Sequence, residues 1–306
     1  MSTTKHVVLL IFVIIQPYFY VMAKPTNDVK NLNLPITITL LPKQSQVNTT
    51  HDYQVKMLNL AMEKSNNSNF QLKFTDEFAS QGRGMRLLNQ GTLDLIAVGP
   101  TKDREALYQA IKIPLYMGLL GYRVLVIRKD RYQEFADIRT PEQLKRMVAC
   151  QAIHWPDSDI LEANEYRVMR VLKFESMFTM VINGRCDYFP RAITEGYSEI
   201  KAFAEMAESD ELMVFDDIIL KYKFPFYFFT GKENKEIASM LTAGLTKAVT
   251  DGSLLNLMEN HPATHHLFPL SQWQHKQFFY LFNPLLSQST PLNNPDLWLK
   301  LETELQ

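Results

Sequence analysis

The hydrophobic positions of this chain alternate between short β-like runs and helical stripes. Residues 36–41 and 70–74 predict strands, and the segment between them, from Asp52 onward, carries apolar side chains at helical spacing. The same helical spacing returns in residues 235–250. This repeated order of strand, helix and strand predicts an α/β fold with mostly parallel sheets flanked by helices.

One short pattern occurs in each half of the chain. Residues 88–96 and 181–189 both read as the end of an amphipathic helix, then a glycine, an aspartate and an apolar strand. Glycine just after a helix supplies a left-handed cap, and an apolar run suits a strand covered on both faces. The two copies predict two α/β lobes with a cleft between them, which suits a receptor for a small solute.

Two apolar runs separate the predicted lobes. Residues 114–128 and 222–229 read as extended and bracket a central segment. Strands that pass between lobes act as a hinge when the lobes close. Plain core strands are an equally open interpretation of the same runs.

Composition and charge exclude several classes of function. The 306 residues are 46% hydrophobic and 21% charged, with a net charge of -1. No basic excess points to nucleic acid. Residues 1–23 combine basic, apolar and small residues in the order of a secretory signal cleaved after Ala23; an uncleaved N-terminal anchor is the alternative. We therefore expect a chain that works outside the cytoplasm, as a monomer.

Two cysteines, Cys150 and Cys186, fall in predicted strands of the same half. In an oxidising compartment they form a disulfide, and a reduced pair of small core residues is the alternative. The His265–His266 pair has no further ligands at metal spacing. We expect neither a metal nor a cofactor.

The first candidate binding loop follows the strand of the first repeat. Ligands of open α/β sheets bind beyond the carboxyl ends of strands. There Arg104 could hold a carboxylate with two parallel bonds, Thr101 could add its hydroxyl, and Gly99 allows close backbone approach. A solvated helix start is the alternative.

The second set of candidates lies in the central segment. Trp155 and Asp157 begin a helix, where free amides attract anions; Asp157 could instead cap that helix. Arg191 and Glu195 follow the strand of the second repeat at the position equivalent to the first loop. They could also pair with each other as a surface bridge. The chain contains no Gly-x-Ser-x-Gly, His-Glu-x-x-His or phosphate-loop motif, so we predict no enzyme.

Taken together, these residues resemble the family 3 solute-binding proteins, the periplasmic receptors that deliver polar amino acids to ABC importers. The likeness spans roughly residues 36–262. Its motifs are Gly91-x-x-Asp94, Thr101-x-x-Arg104, Tyr122 to Lys129, Thr140-Pro141-Glu142-Gln143-Leu144, Gly184-Arg185-x-Asp187, and Val249-Thr250-Asp251-Gly252-Ser253-Leu254.

The resemblance implies the two-lobed type II periplasmic binding protein fold. Lobe 1 would comprise residues 24–118 and 226–306, with 263–306 as a C-terminal extension, and lobe 2 would comprise 119–225. Arg104 would hold the carboxylate of the ligand, with Thr101 assisting.

One departure concerns the amino group of the ligand. The family usually places an aspartate where this chain has Ala192, with Arg191 before it and Glu195 as the nearest acid. We predict a periplasmic receptor for a small carboxylate-bearing, amino-acid-like solute, serving an ABC permease or a sensor. The alternatives are an enzyme on the same scaffold, of dehydratase or cell-wall lyase type, and a sensory or protein-binding module without ligand.

Overall fold

The computed structural model describes residues 35–66 and 69–301. The predicted signal segment, residues 1–23, lies outside the described residues. Within the described ranges no helix is both long enough and apolar enough to cross a bilayer.

Eleven strands and ten α-helices are described in this part of the chain. The strands are β1 Ile36–Leu40, β2 Phe70–Phe74, β3 Ile96–Val98, β4 Gln109–Ile111, β5 Tyr122–Arg128, β6 Val148–Ala152, β7 Arg167–Val171, β8 Phe189–Ala192, β9 Leu212–Lys221, β10 Tyr227–Thr230 and β11 Gln277–Tyr280. The helices are α1 His51–Lys64, α2 Gln81–Asn89, α3 Lys102–Leu107, α4 Tyr132–Ala136, α5 Pro141–Lys145, α6 Pro156–Ala163, α7 Phe174–Ile182, α8 Gly196–Ala207, α9 Lys235–Thr250 and α10 Ser253–Asn260.

The first strand group combines the N-terminal strands β1 to β4 with β10. In it β1 pairs with β2 in parallel, and β10 lies antiparallel between β3 and β4. Helices α1 and α9 pack together beside these strands. They approach closely because Gly244 has no side chain: a Cβ there would lie 1.7 Å from the carbonyl oxygen of Ala61.

The second strand group contains the central segment. Its four-stranded sheet has the order β11-β9-β5-β8, and β6 pairs with β7 in parallel beside it. A single bridge between Ala149 and Tyr188 connects β6 to β8. Strand β5 is apolar and buried from Val124 to Ile127 because this sheet is covered on both faces.

Two neighbouring connections join the strand groups. The backbone N–H of Tyr222 donates to the carbonyl oxygen of Gly121 at 3.0 Å. The sequence predicts an extended run from residue 114, but residues 114–121 form turns and strand β5 begins only at Tyr122. Met117 and Gly118 have positive φ angles of 45° and 80°. These residues are apolar because they are buried, and burial alone does not distinguish a turn from a strand.

The repeated pattern adopts the same local structure in both copies. Gly91 and Gly184 have φ angles of 70° and 66°, as left-handed caps require. The aspartate that follows each glycine has a shared structural role. Asp94 accepts a bond from the backbone N–H of Thr39 at 2.8 Å, and Asp187 accepts one from Val148 at 2.6 Å. Each aspartate thus fastens its strand to the adjacent one.

The C-terminal segment contributes one strand to the second strand group. The sequence assigns residues 263–306 to the first lobe, but β11 pairs in parallel with β9 in the second strand group. The ten-residue β9 has an edge that is available for pairing, and β11 is a short aromatic strand that fits it. The aromatic run of residues 277–280 does not by itself indicate which edge would receive it.

Cys150 and Cys186 are joined by a disulfide with a Cα–Cα distance of 5.6 Å. Cys150 lies on β6, and Cys186 lies in the turn between α7 and β8. The bond therefore connects the strand pair β6–β7 to the second copy of the repeat.

Candidate functional site

A cavity of about 160 Å³ lies between the two strand groups. Its walls come from β1, α1, β3 and β10 on one side and from β5, β8, α7 and α8, with Trp155 just before α6, on the other. The residues that line it include Gln54, Phe78, Gln81, Leu95, Ala97, Arg123, Trp155, Phe174, Arg191, Glu195, Glu199, Phe224, Phe226 and Phe228.

Residues 43–50, which we call the latch loop, hold the two sides of the cavity together. Val47 is fully buried and belongs to the apolar cluster of the second group, with Phe174 and Phe178. The hydroxyl groups of Thr49 and Ser198 are 2.5 Å apart. Because the loop leaves β1 and reaches α8, it closes the cavity across the cleft.

A chain of buried ion pairs forms the wall on the side of the second group. Arg123 contacts Asp157 at 2.6 Å and Glu195 at 3.6 Å. Arg191 contacts Glu195 at 2.8 Å and Glu199 at 2.6 Å. The order is Asp157, Arg123, Glu195, Arg191, Glu199, so that acids and bases alternate along the chain.

Burial and ion pairing shift the pKa values of these groups in opposite directions. Burial raises the pKa of Glu199 to about 7, although Arg191 lowers it. Burial disfavours the charged form of Arg123, but the charge of Asp157 holds the pKa of this arginine above its ordinary value. A buried charge is tolerated only when it is paired, and each arginine here has two carboxylate neighbours.

Aromatic rings surround both arginines. The guanidinium carbon of Arg191 lies 4.8 Å from the ring centre of Trp155, 5.4 Å from that of Phe174 and 5.0 Å from that of Phe189. Arg123 lies 5.0 Å from the ring centre of Phe224. Ring faces attract cations, and more strongly when water is excluded.

Arg104 has a different environment from the other two arginines. Its guanidinium donates to the carbonyl oxygen of Gly99 at 2.6 Å, to Gln81 at 3.3 Å and, across the cleft, to the carbonyl oxygen of His154 at 2.9 Å. All three acceptors are uncharged. Burial lowers the pKa of Arg104 to about 10, opposed by the more distant charges of Asp157 and Asp159.

Gly99 and Thr101 support Arg104. The Thr101 hydroxyl accepts a bond from the backbone N–H of Arg104 at 3.1 Å and caps α3. Phe224 packs against Gly99, where a Cβ would lie 2.4 Å from the ring. Gly99, Thr101 and Arg104 are not among the residues that line the cavity, which they adjoin through Gln81.

The other sequence candidates lie at or behind the cavity wall. Trp155, Arg191 and Glu195 line it, and Asp157 lies behind Arg123, where it also accepts a bond from the hydroxyl of Tyr222. Asp157 is occupied by these bonds rather than by a cap of α6. Arg191 and Glu195 do pair with each other, but as a buried pair and not as a surface bridge.

Sequence reasoning missed Arg123 and Glu199. An arginine inside the apolar run 119–127 was a signal, because a buried arginine requires a partner. Glu199 gave a weaker signal, since its position on an amphipathic helix is typical of a solvated side chain. In the described ranges no cluster of histidine, cysteine and acidic residues could hold a metal ion.

Comparisons with known proteins give structural matches only. No family model matches the chain, and no curated protein matches its sequence. An amino-acid ABC transporter substrate-binding protein from Streptococcus pneumoniae, bound to L-arginine, is 13% identical with a TM-score of 0.54, over 76% of this chain and 94% of that one.

Two further solved structures agree with this match. An arginine-specific periplasmic binding protein from Salmonella typhimurium is 15% identical with a TM-score of 0.54, over 73% of this chain and 98% of that one. The ligand-binding core of GluR0 from Nostoc punctiforme, in complex with L-glutamate, is 13% identical with a TM-score of 0.51, over 75% and 99% of the two chains. The predicted fold is confirmed: the chain has the two-lobed α/β fold of periplasmic amino-acid-binding proteins.

Proposed function

We propose that this chain is a periplasmic receptor that closes around a small carboxylate-bearing, amino-acid-like solute. The observation that carries this proposal is Arg104. It is a half-buried arginine beside an interlobe cavity, with no carboxylate within ion-pair distance among the described residues. The fold supports the proposal, because ligands of such sheets bind at the strand ends that face the cleft.

A carboxylate ligand would improve the bonding of Arg104. Bonds between a guanidinium and a carboxylate are shorter and about twice as strong as those to neutral acceptors, and the planar group accepts two in parallel. In this proposal the ligand replaces Gln81 and the carbonyl oxygen of His154 as acceptors. Thr101 fixes the start of α3, and Gly99 retains its bond to the guanidinium.

The proposed lobes follow from the two connections at residues 112–121 and 222–226. The chain passes from lobe 1 to lobe 2 within the first connection and back within the second, so that residues 24–118 and 226–306 without β11 form lobe 1, and residues 119–225 with β11 form lobe 2. Closure of a monomer around the solute would present the joined surface of both lobes to an ABC permease or a sensor. No cofactor takes part in this proposal.

The pairing of the acids favours a receptor over an enzyme. An enzyme on this scaffold needs a general acid or base, and the sequence offers Asp157 and Glu195 for that role. Both carboxylates contact Arg123. Their oxygens are therefore already engaged by a guanidinium of the chain, which favours a role in the wall of the cavity over proton transfer.

The test is a binding titration of the chain from residue 24 onward with a panel of amino acids and simple carboxylates. For a ligand that binds, Arg104→Gln should weaken binding about 30-fold or more, because one charge-assisted pair is lost. Arg86→Gln removes an exposed arginine of the neighbouring helix α2 and should leave affinity unchanged. Equal affinity of the wild-type chain and Arg104→Gln would contradict the proposal.

A further inference from the structure

We infer that the ligand of this site has an uncharged apolar body, aromatic or aliphatic, attached to its single carboxylate. This inference rests on the proposed function and narrows it. It differs from binding of basic or acidic amino acids, because it excludes a second charged group on the body of the ligand.

The charged groups of the cavity wall are already paired with one another. Arg123 and Arg191 share three carboxylates, and each contact is 3.6 Å or shorter. A ligand ammonium or guanidinium would have to compete with a guanidinium that is covalently part of the chain. Arg123 Nε is buried without a hydrogen-bond partner among the described residues, and such a donor calls for an acceptor rather than a cation.

Arg191 occupies the place where a cationic side chain would bind. It lies among the rings of Trp155, Phe174 and Phe189, and it donates to both carboxylate oxygens of Glu199 at 2.6 and 2.7 Å. An aromatic box closed by a carboxylate is the arrangement that holds ligand cations. Here the chain fills that box itself.

The rest of the wall adds no further Asp, Glu, Lys or Arg: it combines apolar side chains with the polar ones of Gln44, Asn48, Thr50, His51, Gln54 and Gln81. Phe78, Leu95, Ala97, Phe224, Phe226 and Phe228 face the cavity. The cavity of about 160 Å³ is similar in size to one of about 150 Å³ that holds benzene in another protein. The space therefore fits one ring or a branched chain of similar volume, and its walls reward the burial of apolar surface.

The first experiment compares matched ligands by calorimetric titration of the chain from residue 24 onward. L-Norleucine and L-lysine have side chains that differ only in the terminal ammonium group. We expect norleucine to bind at least about 30-fold more tightly than lysine, because burial of an unpaired ammonium group lowers the affinity by several factors of ten. L-Phenylalanine and phenylpyruvate should both bind more tightly than L-glutamate, and their ratio reports whether the α-ammonium group contributes.

A second experiment removes the guanidinium group of Arg191. Arg191→Met keeps much of the side-chain length but leaves Glu199 without its guanidinium, so the ratio of lysine to norleucine affinity should rise about tenfold or more. Arg185→Met removes an exposed arginine of the same segment and should leave this ratio unchanged. Folding of each variant is checked by circular dichroism. If Arg191→Met does not fold, the comparison of norleucine with lysine on the wild-type chain tests the inference by itself.

The outcomes separate the two proposals. Tighter binding of lysine, arginine or glutamate than of norleucine would overturn this inference and leave the receptor proposal intact. A chain that binds no carboxylate in the panel would overturn the proposed function, and the ligand class with it.

Discussion

Single residues of the cavity wall show how buried charges are tolerated in this protein. Arg123 lies in an apolar strand, 3% exposed, because Asp157 and Glu195 reach it from two other elements. Removing one partner of such a network leaves an uncompensated buried charge, which costs about 3–5 kcal/mol. The wall therefore depends on all of its members for stability and for the shape of the site.

Glu199 gives this wall a dependence on pH. Burial raises its pKa from 4.5 to about 7. Between these values the folded carboxyl group retains its proton when the unfolded one has lost it, so this residue lowers the free energy of unfolding as pH rises. Glu199→Gln should flatten the slope of stability against pH in this window, as measured by urea unfolding.

The exposed Glu205 lies on the same helix and provides the control for this measurement. Glu205→Gln should retain the slope of the wild-type chain. A slope that is the same in the wild-type chain and in Glu199→Gln would contradict the account of Glu199.

At the scale of elements, the latch loop connects packing to function. Val47→Ser should weaken the closed form, because burial of a valine contributes roughly 1.5–3 kcal/mol and a hydroxyl would replace it in an apolar cluster. We expect a larger radius of gyration by small-angle scattering and weaker ligand binding. Val249→Ser, on α9, removes a partly buried valine outside the latch loop and should change neither quantity.

The disulfide is a second element-scale feature with a measurable effect. It closes a loop with a sequence separation of 36 residues, for which chain entropy predicts a stabilisation of about 2–4 kcal/mol. Replacing Cys150 and Cys186 together by alanine should lower the free energy of unfolding by this amount. An unchanged midpoint in guanidinium chloride would show that the bond does not constrain the unfolded chain.

Elements with local signals were predictable from the sequence, and contacts between distant segments were not. The glycine caps at Gly91 and Gly184 were predictable because cap geometry depends on neighbouring residues only. The pairing of β11 with β9 and the insertion of Val47 into the second group depend on surfaces far away in sequence. A hydrophobic pattern identifies a buried face but does not identify its partner.

The same distinction applies to the candidate site. Trp155 and Glu195 line the cavity just after β6 and β8, and Arg191 lies near the end of β8 itself; topology alone predicts that such strand ends face the cleft. Arg123 and Glu199 were missed because their role in the cavity wall depends on partners in other elements. The acceptors of Arg104 likewise include one from the opposite side of the cleft.

At the scale of the whole molecule, the C-terminal segment contacts both strand groups. Phe282 donates its backbone N–H to Asn164 at 2.9 Å in the second group. A few residues later the carbonyl oxygen of Leu285 accepts from Lys102, and Leu299 donates to Met117, both on the side of the first group. Any opening of the cleft must therefore move or stretch this segment.

The most direct test of the account is a crystal structure of the chain with a bound apolar carboxylate such as L-norleucine. We predict the ligand carboxylate within hydrogen-bond distance of Arg104, its apolar body against Phe224 and Phe228, and Arg191 still paired with Glu199. A ligand bound outside the interlobe cavity, with Arg104 still bonded to the carbonyl oxygen of His154, would contradict the central claim.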